Sequence, residues 1–258
     1  MPDAAKYVYC IADLGPQRSF GPLGIGARGD EVTAIPYRDI AAVVSDSPRM
    51  RYRVNYENSA AHERAIEAVL AHHTVLPVRF GTLAEDDDDV RGMLELEYGE
   101  YRALLDRMRG KMEVGLKAVF DERLIYREIL ASSPEISRRR EAVAKLPPGQ
   151  AHWQLVEIGR MVEQALEAEK ARVREEIVRV LRGACCDFRL TNRLLGERMI
   201  MNAAFLVERA REAAFERQVD ALAERYGERI KFKYVTGFPP FNFVCLVVRW
   251  LGQRHAVA

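Results

Sequence analysis

Lys111-Met112-Glu113-Val114-Gly115-Leu116-Lys117-Ala118-Val119-Phe120 places apolar Met112, Val114, Leu116 and Ala118 at every second position, the period of a strand with one buried face. Gly110 immediately before it is a residue that commonly ends a helix. A domain boundary is therefore expected near Gly110. Beyond the strand, Asp121–Leu146 reads as helix in pieces, broken by Pro134 and closed by Pro147-Pro148-Gly149, in the manner of an inserted arm. From about Ala151 to Arg182, Leu155, Ile158, Val162, Ala165, Val173, Ile177 and Val180 form one helical stripe into which only Glu169 intrudes. Strands are expected at Ala184–Thr191 and Met199–Val207, then a helix from Glu208 to Tyr226 stopped by Gly227. Two more strands follow, Arg229–Val235 and, after Pro239-Pro240, Asn242–Val248. The order from residue 111 to 258 is the βαββαβ order of a ferredoxin-like sandwich with one added strand and a helical insertion at about 121–150.

Residues 1–110 read as a smaller N-terminal α+β domain whose order of elements matches no common motif. Tyr7–Ala12 is a β-branched and aromatic strand, and the Gly/Pro-rich stretch Asp13–Gly29 is a loop. Glu31–Ile35 and Ile40–Ser45 read as antiparallel neighbours. In the helix Glu57–His72, His62, Ile66, Val69 and His73 share one face. Thr74–Phe80 is expected as a strand, and Pro77 means that it lies at a sheet edge or carries a bulge, because proline cannot donate to a ladder. A helix runs from the acidic stretch Glu85–Asp89 to Met108, with the acids complementing its dipole. The fold class is α+β in two domains.

Composition removes several function classes. The 39 basic and 38 acidic side chains leave a formal charge of +1, without the field that draws a protein to nucleic acid or anionic membranes. The longest apolar run, Phe243 to Val248, is far short of the roughly 20 residues that cross a bilayer, so no span is expected. The N-terminus has no secretory pattern, and Cys10, Cys185, Cys186 and Cys245 have neither disulfide-framework density nor a C-x-x-C spacing. A cytoplasmic protein with reduced thiols is the expectation.

The motif-like stretches fail on context. Gly24-Ile25-Gly26-Ala27-Arg28-Gly29 fits G-x-G-x-x-G, yet prolines precede it and a β-like segment follows, so the helix N-terminus that would hold a pyrophosphate is missing. His62-Glu63 begins a zincin motif, but Ile66 stands where the second histidine must face the metal. His62 and His73 are instead expected to be partly buried and bonded to backbone, with His72 in solvent. Glu85–Asp89 lacks the alternation and glycine of an EF-hand loop and reads as a solvated cap. Adjacent Cys185 and Cys186 point to opposite faces of a strand, so at least one should lie in the core. No nucleophile–base pair is present. No enzyme activity, cofactor, metal or small-molecule substrate is expected. An alternative reading is a ferredoxin-like nucleic-acid binder that stacks bases on Phe232 and Tyr234 between Lys231 and Lys233. The balanced charge and the missing K/R-G-F/Y-G/A-F segment speak against it.

Tyr7-Val8-Tyr9, Ile40–Ser45, Thr74-Val75-Leu76-Pro77-Val78-Arg79-Phe80-Gly81-Thr82, Val114–Lys117, Asn202–Val207 and Thr236-Gly237-Phe238-Pro239-Pro240-Phe241-Asn242-Phe243-Val244 occur in one order along nearly the whole chain. In that series the sequence resembles the gas vesicle protein F/L (GvpF/GvpL) family. The ending departs from the Gly-Pro-x-Pro-Pro-Tyr-like turn usual there, with Phe238 and Phe241 in its place. The resemblance implies a cytoplasmic accessory protein that binds the small hydrophobic shell protein or other accessory proteins and joins the forming vesicle. Arg79, Phe80, Phe238 and Phe241 are the candidate partner-binding positions within these segments.

Overall fold

The computed structural model of the chain describes residues 4–13, 15, 17–147, 150–191 and 196–250. Leu14, Pro16, Pro148 and Gly149, parts of the expected loop and arm, lie outside the described residues. The chain divides into two compact units, one of Met1–Glu113 with Gly237–Ala258 and one of Val114–Thr236. The first unit thus joins segments that lie on either side of the second in sequence.

In the first unit, β1 (Ala4–Asp13) lies between β3 (Ile40–Pro48) on one side and β4 (Val75–Pro77) with β5 (Leu83–Ala84) on the other, and β2 (Val32–Tyr37) flanks β3. All these pairs are antiparallel, and the β1–β3 register slips between Val8 and Cys10. β1 is buried along nearly its whole length, the mark of a strand covered on both faces. Both α1 (Tyr56–Leu70) and α3 (Tyr98–Met108) pack against it. Asn55 caps α1, its side chain accepting from the Asn58 N–H at 2.8 Å, and Ala65, Ile66 and Val69 turn into the core beside Tyr7, Tyr9 and Val75.

The single helix expected up to Met108 is two. α2 (Asp87–Leu96) ends and α3 begins at Glu97, whose φ of −110° and ψ of 14° leave the helical region. The acidic run caps α2 as expected, with Asp86 accepting from the N–H groups of Asp88 and Asp89, each at 2.9 Å.

Pro77 sits in an edge strand, and alternation explains why it is tolerated there. The Val78 N–H turns inward to Tyr9 O at 2.9 Å, while the Arg79 N–H turns outward to Leu246 O at 2.9 Å. The donor that Pro77 lacks would also point outward, so no bond to β1 is lost. The outer edge is then closed by a parallel bridge between Val78 and Leu246, with Leu246 N–H donating to Pro77 O at 2.8 Å. The expected strand Asn242–Val248 does not form. Pro239 and Pro240 begin a tight turn held by Phe241 N–H to Pro239 O at 2.7 Å and Val244 N–H to Pro240 O at 2.8 Å, and of that stretch only Leu246 pairs.

The second unit carries an antiparallel sheet in the order β7 (Asp187–Leu190), β8 (Met199–Glu208), β6 (Lys111–Phe120), β9 (Ile230–Phe238). α6 (His152–Leu181) and α7 (Glu212–Tyr226) pack against β8 and against each other. Phe205 stacks between Phe188 of β7 and Phe215 of α7, with centroids 5.9 and 5.2 Å away. α4 (Glu122–Ser132) and α5 (Pro134–Val143) lie on α6, divided by Pro134, which takes a first-turn position where its missing donor costs nothing. Cys185 and Cys186 fall before β7 rather than in it. Neither is buried, so the expected core cysteine of that pair is absent and only Cys10 lies fully inside.

Candidate interaction surfaces

The Thr74–Thr82 segment is built around a buried polar chain. The Gly81 N–H donates to Tyr7 Oη at 3.0 Å, so the Tyr7 hydroxyl proton is free to go to His62 Nδ1, also at 3.0 Å. His62 then carries its ring proton on Nε2 and donates it to Val78 O at 3.2 Å. Burial pushes the His62 pKa down to about 4 against the smaller upward pull of the Val78 carbonyl, so the ring is neutral at pH 7. Tyr9 Oη accepts from the Ile25 N–H at 2.8 Å and bonds Ser45 Oγ at 2.9 Å, which pins the glycine-rich turn to the sheet. Ile25 is fully buried and a strand follows the turn, so these glycines close a loop and present no helix N-terminus.

Phe80 is half-buried, edge-on to His62 at 5.6 Å and to Tyr7 at 6.3 Å, and Gly81 takes the φ of +83° that turns the chain after it. Phe80 is therefore packing. Arg79 beside it is exposed, and among the described residues its guanidinium has no hydrogen bond or ion pair. Its charge reaches Cys245, where burial raises the thiol pKa and Arg79 opposes the rise. Phe241 is half-buried on the same core cluster as Phe80, in the first unit. Phe238, half-buried, ends β9.

One further group escaped sequence reasoning. Glu113 is buried, and its carboxylate accepts from the Asn242 backbone N–H at 2.8 Å and from Asn242 Nδ2 at 2.6 Å. Burial raises its pKa, and these two donors restrain the rise. The visible signal was an acid inside an alternating strand. His73, expected to bond backbone, instead places Nδ1 3.5 Å from the Asp13 carboxylate.

In the second unit the rings proposed for base stacking are engaged. Tyr234 stacks on Phe215 at 6.2 Å, and Phe232 lies 6.2 Å from Tyr226. Glu169, the intruder in the α6 stripe, pairs with Arg172 and Arg229, and Arg229 also holds Glu128 at 2.7 Å over the Phe120 ring. Ile158, Val173 and Ile177 of the α6 stripe are buried and Val162, Ala165 and Val180 half-buried, but its first member is exposed. Leu155 is 55% exposed and Trp153 80% exposed, with Val156 and Leu146 partly exposed near them. Among the described residues no group of three His, Cys, Asp or Glu side chains is arranged to hold a metal, and no helix is long and apolar enough to cross a membrane.

Comparison with known proteins places the chain among relatives that share this architecture. The family model for gas vesicle synthesis protein GvpL/GvpF matches residues 5–245. A gas vesicle protein F from Streptomyces sp. (strain CB03234) is 29% identical over 241 residues, covering 93% of this chain and 99% of the relative. A gas vesicle protein L from the same strain is 26% identical over 273 residues, 93% of each. The crystal structure of the gas vesicle protein GvpF from Anabaena sp. PCC7120 superposes with a TM-score of 0.79 at 22% identity, over 93% of this chain and 98% of that one.

Proposed function

Because this chain belongs to the gas vesicle synthesis protein GvpL/GvpF family, we propose that it is a non-catalytic accessory protein of gas vesicle assembly that binds the vesicle shell protein and other accessory proteins through apolar contact. The observation that carries this reading is the exposure of four large apolar side chains, Leu146, Trp153, Leu155 and Val156, on and just before the first turn of α6 in the second unit. A shell subunit awaiting assembly must have its apolar area covered, and a projecting tryptophan flanked by aliphatic side chains supplies the kind of anchor that concentrates binding energy. The same reading takes the protein to work in the cytoplasm at the growing vesicle. It takes the second unit as ferredoxin-like, supported by the strand order β7-β8-β6-β9, and the two compact units as domains.

The test is a titration of the purified chain against solubilised shell protein at low and high salt. Apolar burial is little screened, so affinity should hold between the two conditions. Trp153→Ala should weaken binding by about 2 kcal/mol, the scale of an interface hot spot, and leave the melting temperature unchanged because the ring packs on little. Binding that disappears at high salt, or tight binding to single-stranded RNA instead, refutes the reading.

A further inference from the structure

On the flank of α6, Leu155, Gly159, Val162 and Leu166 recur at spacings of four, three and four residues and so share one face. From Gly159 on, this face borders a groove of about 420 Å³ lined by Tyr126, Gly159, Val162, Glu163, Leu166, Glu167 and Glu197. The lining combines apolar Val162, Leu166 and the Tyr126 ring with the acids Glu163, Glu167 and Glu197. Glu167 is held by Lys170 at 2.6 Å, but Glu163 and Glu197 are exposed and have no cationic partner among the described residues.

Gly159 gives a second, independent indication. A glycine inside an exposed helix costs roughly 1 kcal/mol relative to alanine. Among the described residues no packing contact explains that cost, because a Cβ built there would meet no atom within 4 Å outside the backbone of its own helix. A glycine with open space beside it admits the close approach of another chain.

We infer that this groove receives a basic amphipathic helix of a partner protein, its apolar ridge on Val162 and Leu166, its backbone passing over Gly159 and its Lys or Arg side chains meeting Glu163 and Glu197. The strip from Leu155 to Leu166 is about 17 Å long at helical rise, so the occupant spans about three turns. This rests on the reading that the protein acts through protein contacts, and it names the chemistry of one such partner.

The test uses the full chain and a labelled model peptide of four helical turns with leucines on one face and lysines flanking them, followed by fluorescence anisotropy. A charge-reversed peptide with glutamates in place of the lysines is the control. Gly159→Leu should weaken binding of the basic peptide about tenfold or more by filling the groove, while melting temperature stays level or rises because the helix gains a better former. Glu163→Gln and Glu197→Gln should each weaken it about threefold, and added salt should act in the same direction. Equal binding of the two peptides, or undiminished binding by Gly159→Leu, overturns the proposal. Neither result touches the assembly reading, which stands or falls with the shell-protein titration. If Gly159→Leu loses the basic peptide but keeps the shell protein, the groove serves a different partner of the same chemistry.

Discussion

Lowering the pH should destabilise the first unit through His62. The ring is neutral in the fold, with its pKa held at about 4 by burial, while in the unfolded chain it titrates near 6.5. Between those values the unfolded state binds more protons than the folded state, so stability rises with pH. The His62 contribution is therefore complete above pH 6.5 and is lost as pH falls toward 4. At pH 5 the unfolded chain has taken up its proton and the folded one has not. The stability lost relative to pH 8 is about 2 kcal/mol, rising to about 3 kcal/mol when the folded ring protonates as well. The structural cause is specific. A second ring proton at Nδ1 would face the Tyr7 hydroxyl, whose oxygen already accepts from Gly81. Urea unfolding followed by tyrosine fluorescence at pH 8, 6 and 5 measures the slope. His62→Gln provides the reference, because its amide offers both a donor and an acceptor without titrating. Other groups titrate in this range, so the informative quantity is the difference in slope between wild type and variant. If the two slopes coincide, the assignment of His62 as a buried neutral link is wrong.

Asn242→Ala should destabilise the first unit by about 1–2 kcal/mol at pH 7, since it removes a side-chain donor from the buried Glu113 carboxylate. The gap from wild type should narrow as pH falls and Glu113 protonates, which chemical denaturation at pH 7 and 4.5 would show. Arg79→Ala should leave stability within about 0.5 kcal/mol, because the guanidinium is exposed and has no ion pair among the described residues. A drop in melting temperature would mean that Arg79 holds the scaffold, whereas loss of shell-protein binding at unchanged stability would place it in an interface.

The alternation in Lys111–Phe120 marks β6 to the residue, and the α6 helix is legible from Ala151 onward because a long stripe of one period leaves little choice. Pro77 is readable as a residue of an edge or a bulge, since a missing donor constrains position directly, and the sheet order makes it the edge. Exposure is less legible. Leu155 fits the same stripe as Ile158 and Val173, yet it stands out in solvent, because periodicity records which face is apolar and not whether anything covers it. Arg79, Phe80 and Phe241 look alike as motif positions, and only packing separates the exposed guanidinium from the two anchored rings.

The chain's return is where local pattern fails for a definite reason. Asn242–Val248 is short and apolar, and such a run suits a strand or an anchored turn equally. Non-local partners decide between them. Glu113 claims Asn242, Phe241 sinks beside the Tyr7 cluster, and Val78 offers its edge to Leu246 alone. Each of these partners belongs to the first unit and lies far away in sequence, so no window around residue 245 contains them. The first unit therefore closes its β4 edge only once the last part of the chain has been made. Deleting residues 237–258 should leave Pro77 O and the Arg79 N–H unpaired on an exposed edge, the condition that favours strand pairing between molecules. Light scattering of the truncated chain should show self-association that the full chain lacks, and a monodisperse truncated protein would show that the Leu246 bridge is dispensable.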